Sequence, residues 1–282
     1  MDLKERLHSH LIQIVRDRNP YLASEGHFYV QQYIREQLGQ WGTVEIDDFS
    51  VRGRIHHNFI LDLPPSEKAS KQGLSPILIG AHYDTVPGTP GADDNATGVA
   101  VLLELARDLA LQPLKYPVQL VAFDMEESGC LGSKHYAAKF KQQQQSIRLM
   151  ISLEMLGYCD RTPNSQSYPA GLKYFYPNCG NFIALIGNLR TVRDLITLSR
   201  NIRKVGQPCE WLPVPNRGLI VPDTRRSDHV PFWDNNYPAM MVTDTANMRN
   251  PHYHQASDKI ETLDLDFLAG VCRGLVEAIR YI

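Results

Sequence analysis

The chain has 282 residues, 43% of them hydrophobic and 21% charged, and 29 Lys and Arg against 31 Asp and Glu leave a net charge of −2. That length can bury a substantial core in one large α/β domain, and the interspersed charges hold neither a polybasic block suited to nucleic acid nor an acidic tail for a charge-driven partner. No apolar run approaches a membrane span, the charged start Met1-Asp2-Leu3-Lys4-Glu5 lacks the apolar segment of a signal peptide, and the five scattered cysteines form no CxxC pair, so free thiols and a reducing, cytoplasmic setting are expected.

Leu3, Leu7, Leu11, Ile12, Ile14 and Val15 recur near helical spacing and predict a helix over 3–18, stopped by Asn19-Pro20. A second amphipathic helix runs from Ser24 to about Gly42 on Val30, Tyr33, Ile34 and Leu38. Residues 43–46 and 57–63 alternate like strands, joined through Val51-Arg52-Gly53, and a polar loop follows from Pro64 to Gly73. Strands are then expected at 76–82, 118–123, 148–153, 182–187 and 238–243. Helices are expected at 96–111, 131–143, 191–205 and 264–282, with Gln142 to Gln145 as a solvated helix end. Residues 160–180, rich in Pro, Ser, Tyr and Asn, read as an ordered insertion loop, and 206–226 as mostly loop. Strands alternating with helices imply an α/β protein, a mainly parallel mixed sheet covered on both faces. No internal repeat or domain boundary breaks it, so the expectation is one three-layer α/β/α domain over 1–282, with helices 1–42 packed on it.

Three strands end in acidic or imidazole groups: the first at His82 and Asp84 with Asp93-Asp94 beyond, the second at Asp124-Met125-Glu126-Glu127, the third at Glu154. A fourth cluster, Asn250-Pro251-His252-Tyr253-His254 and then Asp258, follows the last strand. The loop after the first strand could also be an acidic surface turn that caps the next helix. In a parallel sheet, however, the carboxyl ends converge on one edge, where such sheets bind ligands. Imidazoles and carboxylates gathered there would repel or desolvate one another without a cation. His with Asp and Glu is a donor set that suits zinc. One carboxylate between two ions would make a two-metal site, and of adjacent glutamates one can ligate while the other stays free as general base.

At this point the motifs resemble a known family. They are Gly80-Ala81-His82-Tyr83-Asp84, Pro90-Gly91-Ala92-Asp93-Asp94-Asn95-Ala96-Thr97-Gly98, Glu126-Glu127-Ser128-Gly129-Cys130-Leu131-Gly132-Ser133, Leu153-Glu154-Met155-Leu156-Gly157-Tyr158, Arg226-Ser227-Asp228-His229-Val230-Pro231-Phe232-Trp233 and the Tyr253-His254 cluster. Together they resemble the two-zinc exopeptidases of metallopeptidase family 28, which includes bacterial zinc aminopeptidases and has glutamate carboxypeptidases and glutaminyl cyclases as relatives. The resemblance runs from about residue 76 to 260 and does not reach the helices before residue 43. It implies the zinc-exopeptidase, phosphorylase/hydrolase-like fold and two Zn(2+) ions per chain. His82, Asp94 and Glu154 would hold one ion and Asp94, Glu127 and His254 the other. Spacing alone does not separate Asp94 from Asp93; the resemblance chooses Asp94 as the bridge and makes Asp94–Asn95 a candidate cis peptide. Glu126 takes the place of the general base, and Tyr253 that of a residue which steadies the oxyanion. Asp84 would accept the second imidazole N–H of His82, and Asp228 with His229 would support the site from beneath. Glu154 departs from the aspartate of many relatives by one methylene.

Other residues have plainer readings. Asp93 is a loop or capping residue, Asp124 is structural, Cys130, Phe232 and Trp233 pack in the interior, His252 rims the pocket, and His57 and His135 lie at the surface. The function implied is a zinc-dependent exopeptidase, an aminopeptidase acting on a peptide or aminoacyl substrate. A glutaminyl-cyclase-like acyltransferase and a catalytically inactive binding domain are the alternatives.

Overall fold

The computed structural model describes residues 1–282. In chain order its main elements are α1 Leu3–Ile14, α2 Ser24–Gly39, β1 Val44–Val51, β2 Arg54–Leu63, β3 Ile77–His82, α3 Gly98–Leu111, β4 Val118–Phe123, α4 Leu131–Gln142, β5 Leu149–Glu154, β6 Ile183–Asn188, α5 Val192–Lys204, β7 Cys209–Val214, α6 Val230–Asp234, β8 Ala239–Thr243 and α7 Leu265–Ile279. The eight strands form one sheet in the order β1-β2-β4-β3-β5-β8-β6-β7. Its centre, β4-β3-β5-β8, is parallel throughout. The β1-β2 hairpin joins β4 antiparallel at one side, and β6 joins β8 antiparallel at the other.

Each central strand is apolar on both faces because both are covered. Ile77, Ile79 and Ala81 of β3 face one core with Leu149, Ile151 and Leu153 of β5, and α1, α2, α3, α5 and α7 close it. Leu78, Val121, Phe123 and Met150 face the other way, against Tyr136 and Phe140 of α4 and Phe232 and Trp233 of α6. The two-residue alternation thus sorts one run of aliphatic side chains into two cores. The layers are helix, sheet, helix, as expected of the α/β class.

Local chemistry moved several boundaries. The β1-β2 hairpin is longer than expected and turns on Arg52 and Gly53, at φ 49° and 79°, the left-handed pair that a two-residue hairpin loop demands. α1 ends at Ile14 rather than near residue 18, because the Arg18 backbone N–H turns away to Thr85 Oγ1 at 3.0 Å. Segment 206–226 is mostly loop, as expected, but it contains an unexpected strand: Cys209–Val214 forms the edge strand β7, parallel to β6. Pro213 hides that strand in the sequence, yet an edge strand accepts a residue with no N–H to donate. The N-terminal helices are clipped to the rest through Arg6 Nε, which donates to both Glu104 oxygens at 3.0 and 2.9 Å.

The turn between β4 and α4 carries the Glu126-Glu127 pair and closes tightly on itself. Gly132 N–H donates to the Asp124 carbonyl at 3.0 Å, and the Gly132 carbonyl accepts from Asn58 Nδ2 at 3.1 Å. A Cβ at Gly132 would collide with the Asp124 carbonyl and the Asn58 side chain, and backbone cannot rotate away. Gly132→Ala is therefore expected to cost about 1–3 kcal/mol, the usual penalty for overpacking. Chemical denaturation would register this as a lower midpoint at unchanged slope.

Candidate metal centre

The carboxyl ends of β3, β4 and β5 bring His82, the Glu126-Glu127 turn and Glu154 to one edge of the sheet. Two three-donor clusters form there. In one, His82 Nε2 lies 3.4 Å from Asp94 Oδ1 and 3.5 Å from Glu154 Oε2. In the other, His254 Nε2 lies 3.1 Å from Asp94 Oδ2 and 3.2 Å from Glu127 Oε2. Asp94 belongs to both, one oxygen facing each imidazole. The longer arm of Glu154 closes its cluster without difficulty. Its Oε2 also accepts the Ser227 hydroxyl at 2.7 Å, and Ser227 is joined to Ser152 at 2.9 Å.

Glu126 belongs to neither cluster. Its Oε2 stands 4.0 Å from His82 Nε2, and its Oε1 accepts a weak bond from the Cys130 thiol at 3.3 Å. Cys130 thus touches the site instead of only filling the interior. Asp84 holds the glutamate turn by its backbone: Oδ1 accepts from Glu126 N–H at 3.0 Å and Oδ2 from Glu127 N–H at 3.2 Å. Its separation from His82 Nδ1 is 3.5 Å, longer than a good hydrogen bond, so its main hold is on the turn. Asp228 is buried with neither oxygen hydrogen-bonded, whereas His229 bonds the Thr224 carbonyl at 2.8 Å and packs its ring on Trp233. The pair is split: Asp228 faces the site's charges and His229 the interior.

The electrostatics are those of a site short of positive charge. Burial pushes Glu127 up to about 7, helped by Asp94, and pushes Asp228 up to about 7. Burial also holds Glu126 well above the carboxylate range, with Glu154, Asp228 and Glu127 adding to it. His82 is 1% exposed, and neither ring nitrogen has a hydrogen-bond partner within the protein. An unpaired buried imidazole facing carboxylate oxygens is a costly arrangement. One cation per cluster relieves both faults, and imidazole with carboxylate is zinc's donor chemistry. The residues present fit that metal.

The loop bearing Asp94 is clamped from three sides. Asp258 accepts the backbone N–H groups of Asp93 at 2.9 Å and Asp94 at 3.1 Å. Asn95 donates to the Leu153 carbonyl at 2.8 Å and accepts from Met155 N–H at 3.0 Å, tying the loop to β5. Arg18, fully buried, donates to the carbonyls of Tyr83 at 2.7 Å, Pro90 at 2.7 Å and Gly91 at 2.9 Å. The Asp94–Asn95 peptide is cis. Asp93, a loop residue outside both clusters, is fully buried and accepts from Gly157 N–H at 2.9 Å and Asn250 Nδ2 at 2.8 Å. His252, expected at the rim, bonds Ser257 Oγ at 2.9 Å. Sequence reasoning gave no role to Arg18 or Ser227, and named Asp258 only as a member of the fourth cluster. Arg18 sits in a helix-stop segment with no motif, and only its position beneath the loop betrays it.

Fold and donor set define the class: a metal-dependent α/β hydrolase built at the carboxyl edge of a mixed sheet. The chain belongs to peptidase family M28, whose model matches residues 58–279. It is 36% identical over 262 residues to Uncharacterized protein YfbL of Escherichia coli (strain K12), covering 87% of this chain and 77% of that one. It is 26% identical over 290 residues to Leucine aminopeptidase 1 of Trichophyton equinum, covering 94% and 70%. Among solved structures, the LapA aminopeptidase of Legionella pneumophila matches with a TM-score of 0.74 at 19% identity, over 98% of this chain and 71% of that one. A glutaminyl cyclase of Porphyromonas gingivalis shares the fold too, with a TM-score of 0.70 at 20% identity over 99% of both chains.

Two outcomes follow for the supports. Arg18→Met leaves several buried carbonyls without a donor and should cost at least about 2 kcal/mol, measurable as a drop in melting temperature. The second concerns Asp124, beneath the glutamate turn. Burial alone would raise its pKa, but bonds to His27 Nε2 at 2.9 Å and His56 Nδ1 at 3.2 Å outweigh burial and hold it at about 2. A depressed carboxylate stabilises the fold above its unfolded value near ~3.9, and that contribution is lost as pH falls through the folded value. The stability gap between wild type and Asp124→Asn should therefore be full at neutral pH and shrink between about pH 4 and pH 2. A gap constant across that window would contradict it.

Proposed function

We propose that this protein is a zinc-dependent aminopeptidase that hydrolyses the N-terminal residue from a peptide. The reading rests above all on the two donor clusters that share Asp94 while Glu126 stays outside both. His82, Asp94 and Glu154 would hold one zinc ion, and Asp94, Glu127 and His254 a second. When bound, the ions polarise the scissile carbonyl and lower the pKa of a water toward neutrality. Glu126 is the general base: it takes the proton of the attacking water and returns it to the leaving amine. Asp84 fixes where that carboxylate stands, because it holds the two backbone N–H groups of the turn. Tyr253, at the wall of the acidic cleft, has its phenol available to the substrate's carbonyl oxygen.

An apolar pocket adjoins this cleft, and Glu154, Arg226 and Tyr253 line both. Ala184 and Ile186 of β6 with Met241 of β8 contribute side chains from the sheet, and Tyr168, Leu172 and Tyr176 of the 160–180 segment contribute from above. Leu212 and Trp211 come from β7. A bond hydrolysed at the acidic cleft thus has its preceding side chain beside an aliphatic and aromatic wall. Bulky apolar N-terminal residues are the substrates this favours.

The test combines metal analysis with turnover on leucyl and phenylalanyl amides, their N-acetylated forms and a glutaminyl peptide. Two zinc ions per chain and cleavage only of free-amine substrates are expected. Chelation should abolish turnover, with zinc restoring it, and Glu126→Gln should lower kcat about 10²–10⁴-fold while retaining zinc. Ammonia release from the glutaminyl peptide without cleavage would replace this reading with the cyclase one. Tightly bound zinc with no turnover on any of these would leave a binding domain.

A further inference from the structure

We propose that Arg226 is a positioning residue that directs the Tyr253 hydroxyl proton into the reaction cleft. This rests on the aminopeptidase reading, in which Tyr253 faces the substrate's carbonyl. Arg226 Nη2 donates to the Tyr253 phenol oxygen at 3.1 Å, and Nη1 donates to Asn247 Oδ1 at 2.9 Å. Its guanidinium has no carboxylate partner, unlike neighbouring Arg225, which pairs with Asp234 at 2.9 Å. A guanidinium has only N–H donors. The phenol can accept from it but cannot donate to it, so the O–H must aim elsewhere.

The surroundings decide the direction. The Tyr253 ring stacks on the His254 imidazole at 3.8 Å between centroids and 23° between planes. Its oxygen is held at one edge by Arg226, which lies at the junction of the apolar pocket and the acidic cleft. With stack and acceptor lobe both taken, the proton's open direction is the cleft. A charge-assisted bond to the oxygen also makes the phenol a stronger donor. The backbone of Arg226 is held in turn, since Ser227 beside it bonds Glu154. One short segment therefore serves both clusters, Ser227 at Glu154 and Arg226 at the Tyr253-His254 pair.

A double-mutant cycle reads this. Tyr253→Phe should lower kcat about 10²-fold, as loss of one oxyanion donor does. Arg226→Met should lower kcat about tenfold with KM within about twofold, and Arg226→Lys should recover most of the loss. Arg226→Met combined with Tyr253→Phe should be no worse than Tyr253→Phe alone, because Arg226 acts through the phenol. Multiplicative losses, or a raised KM at unchanged kcat, would overturn the proposal and make Arg226 a direct substrate contact. Crystal structures give a readout independent of activity: in Arg226→Met the phenol should leave its stack on His254, and a ring that stays in place overturns the positioning. Absence of turnover in the wild type would sink the aminopeptidase reading, and the ring position would still decide the role of Arg226.

Discussion

Asp94 presents one carboxylate oxygen to each of two imidazoles, 3.4 Å from His82 and 3.1 Å from His254. Everything around it follows from the cost of that placement. Glu126, Glu127 and Glu154 stand within the same small volume, and buried carboxylates at such distances cannot all stay ionised without positive charge. The buried Arg18 guanidinium is spent on backbone carbonyls beneath the loop. Burial brings Arg18 down to about 10, even with Asp94 and Asp258 opposing the shift. A metal cation held by these donors would supply the remaining compensation. Asp258, Asn95 and Arg18 hold the loop through backbone groups rather than through the donor oxygens, which they leave free.

The sheet makes this arrangement possible. Four parallel strands end on one edge, so residues far apart in the chain meet without long loops. The antiparallel β6 and its neighbour β7 extend the sheet beyond the edge and supply part of the apolar pocket beside the clusters. In the proposed function, chemistry and side-chain recognition occupy adjoining parts of one surface, which share Glu154, Arg226 and Tyr253. No helix is long and apolar enough to cross a membrane.

Much of the site was legible because metal-ligating residues come as fixed types at strand ends. His82, Glu127, Glu154 and His254 each follow a readable apolar run or sit in a motif, and the structure brings all four to Asp94. The choice between Asp93 and Asp94 was different in kind. Adjacent residues point in different directions, and no pattern of residue types records which one faces the cleft. Here Asp93 turns into the interior, toward Gly157 and Asn250. Strand β7 was illegible for a related reason: Glu210 and Pro213 break its apolar run, and only pairing with β6 makes it a strand. Cys130 read as packing, since nothing local indicates that α4 begins with its thiol beside Glu126.

By itself the sequence determined the layered α/β class, the two-faced central strands and the set of donor residue types, since these depend on periodicity and side-chain chemistry carried along the chain. Tertiary structure alone decided which oxygens share a cluster, which buried arginine holds the loop, and which guanidinium meets Tyr253. Those outcomes turn on distances of about 3 Å between segments up to 165 residues apart, set by how the whole sheet and its covering helices pack.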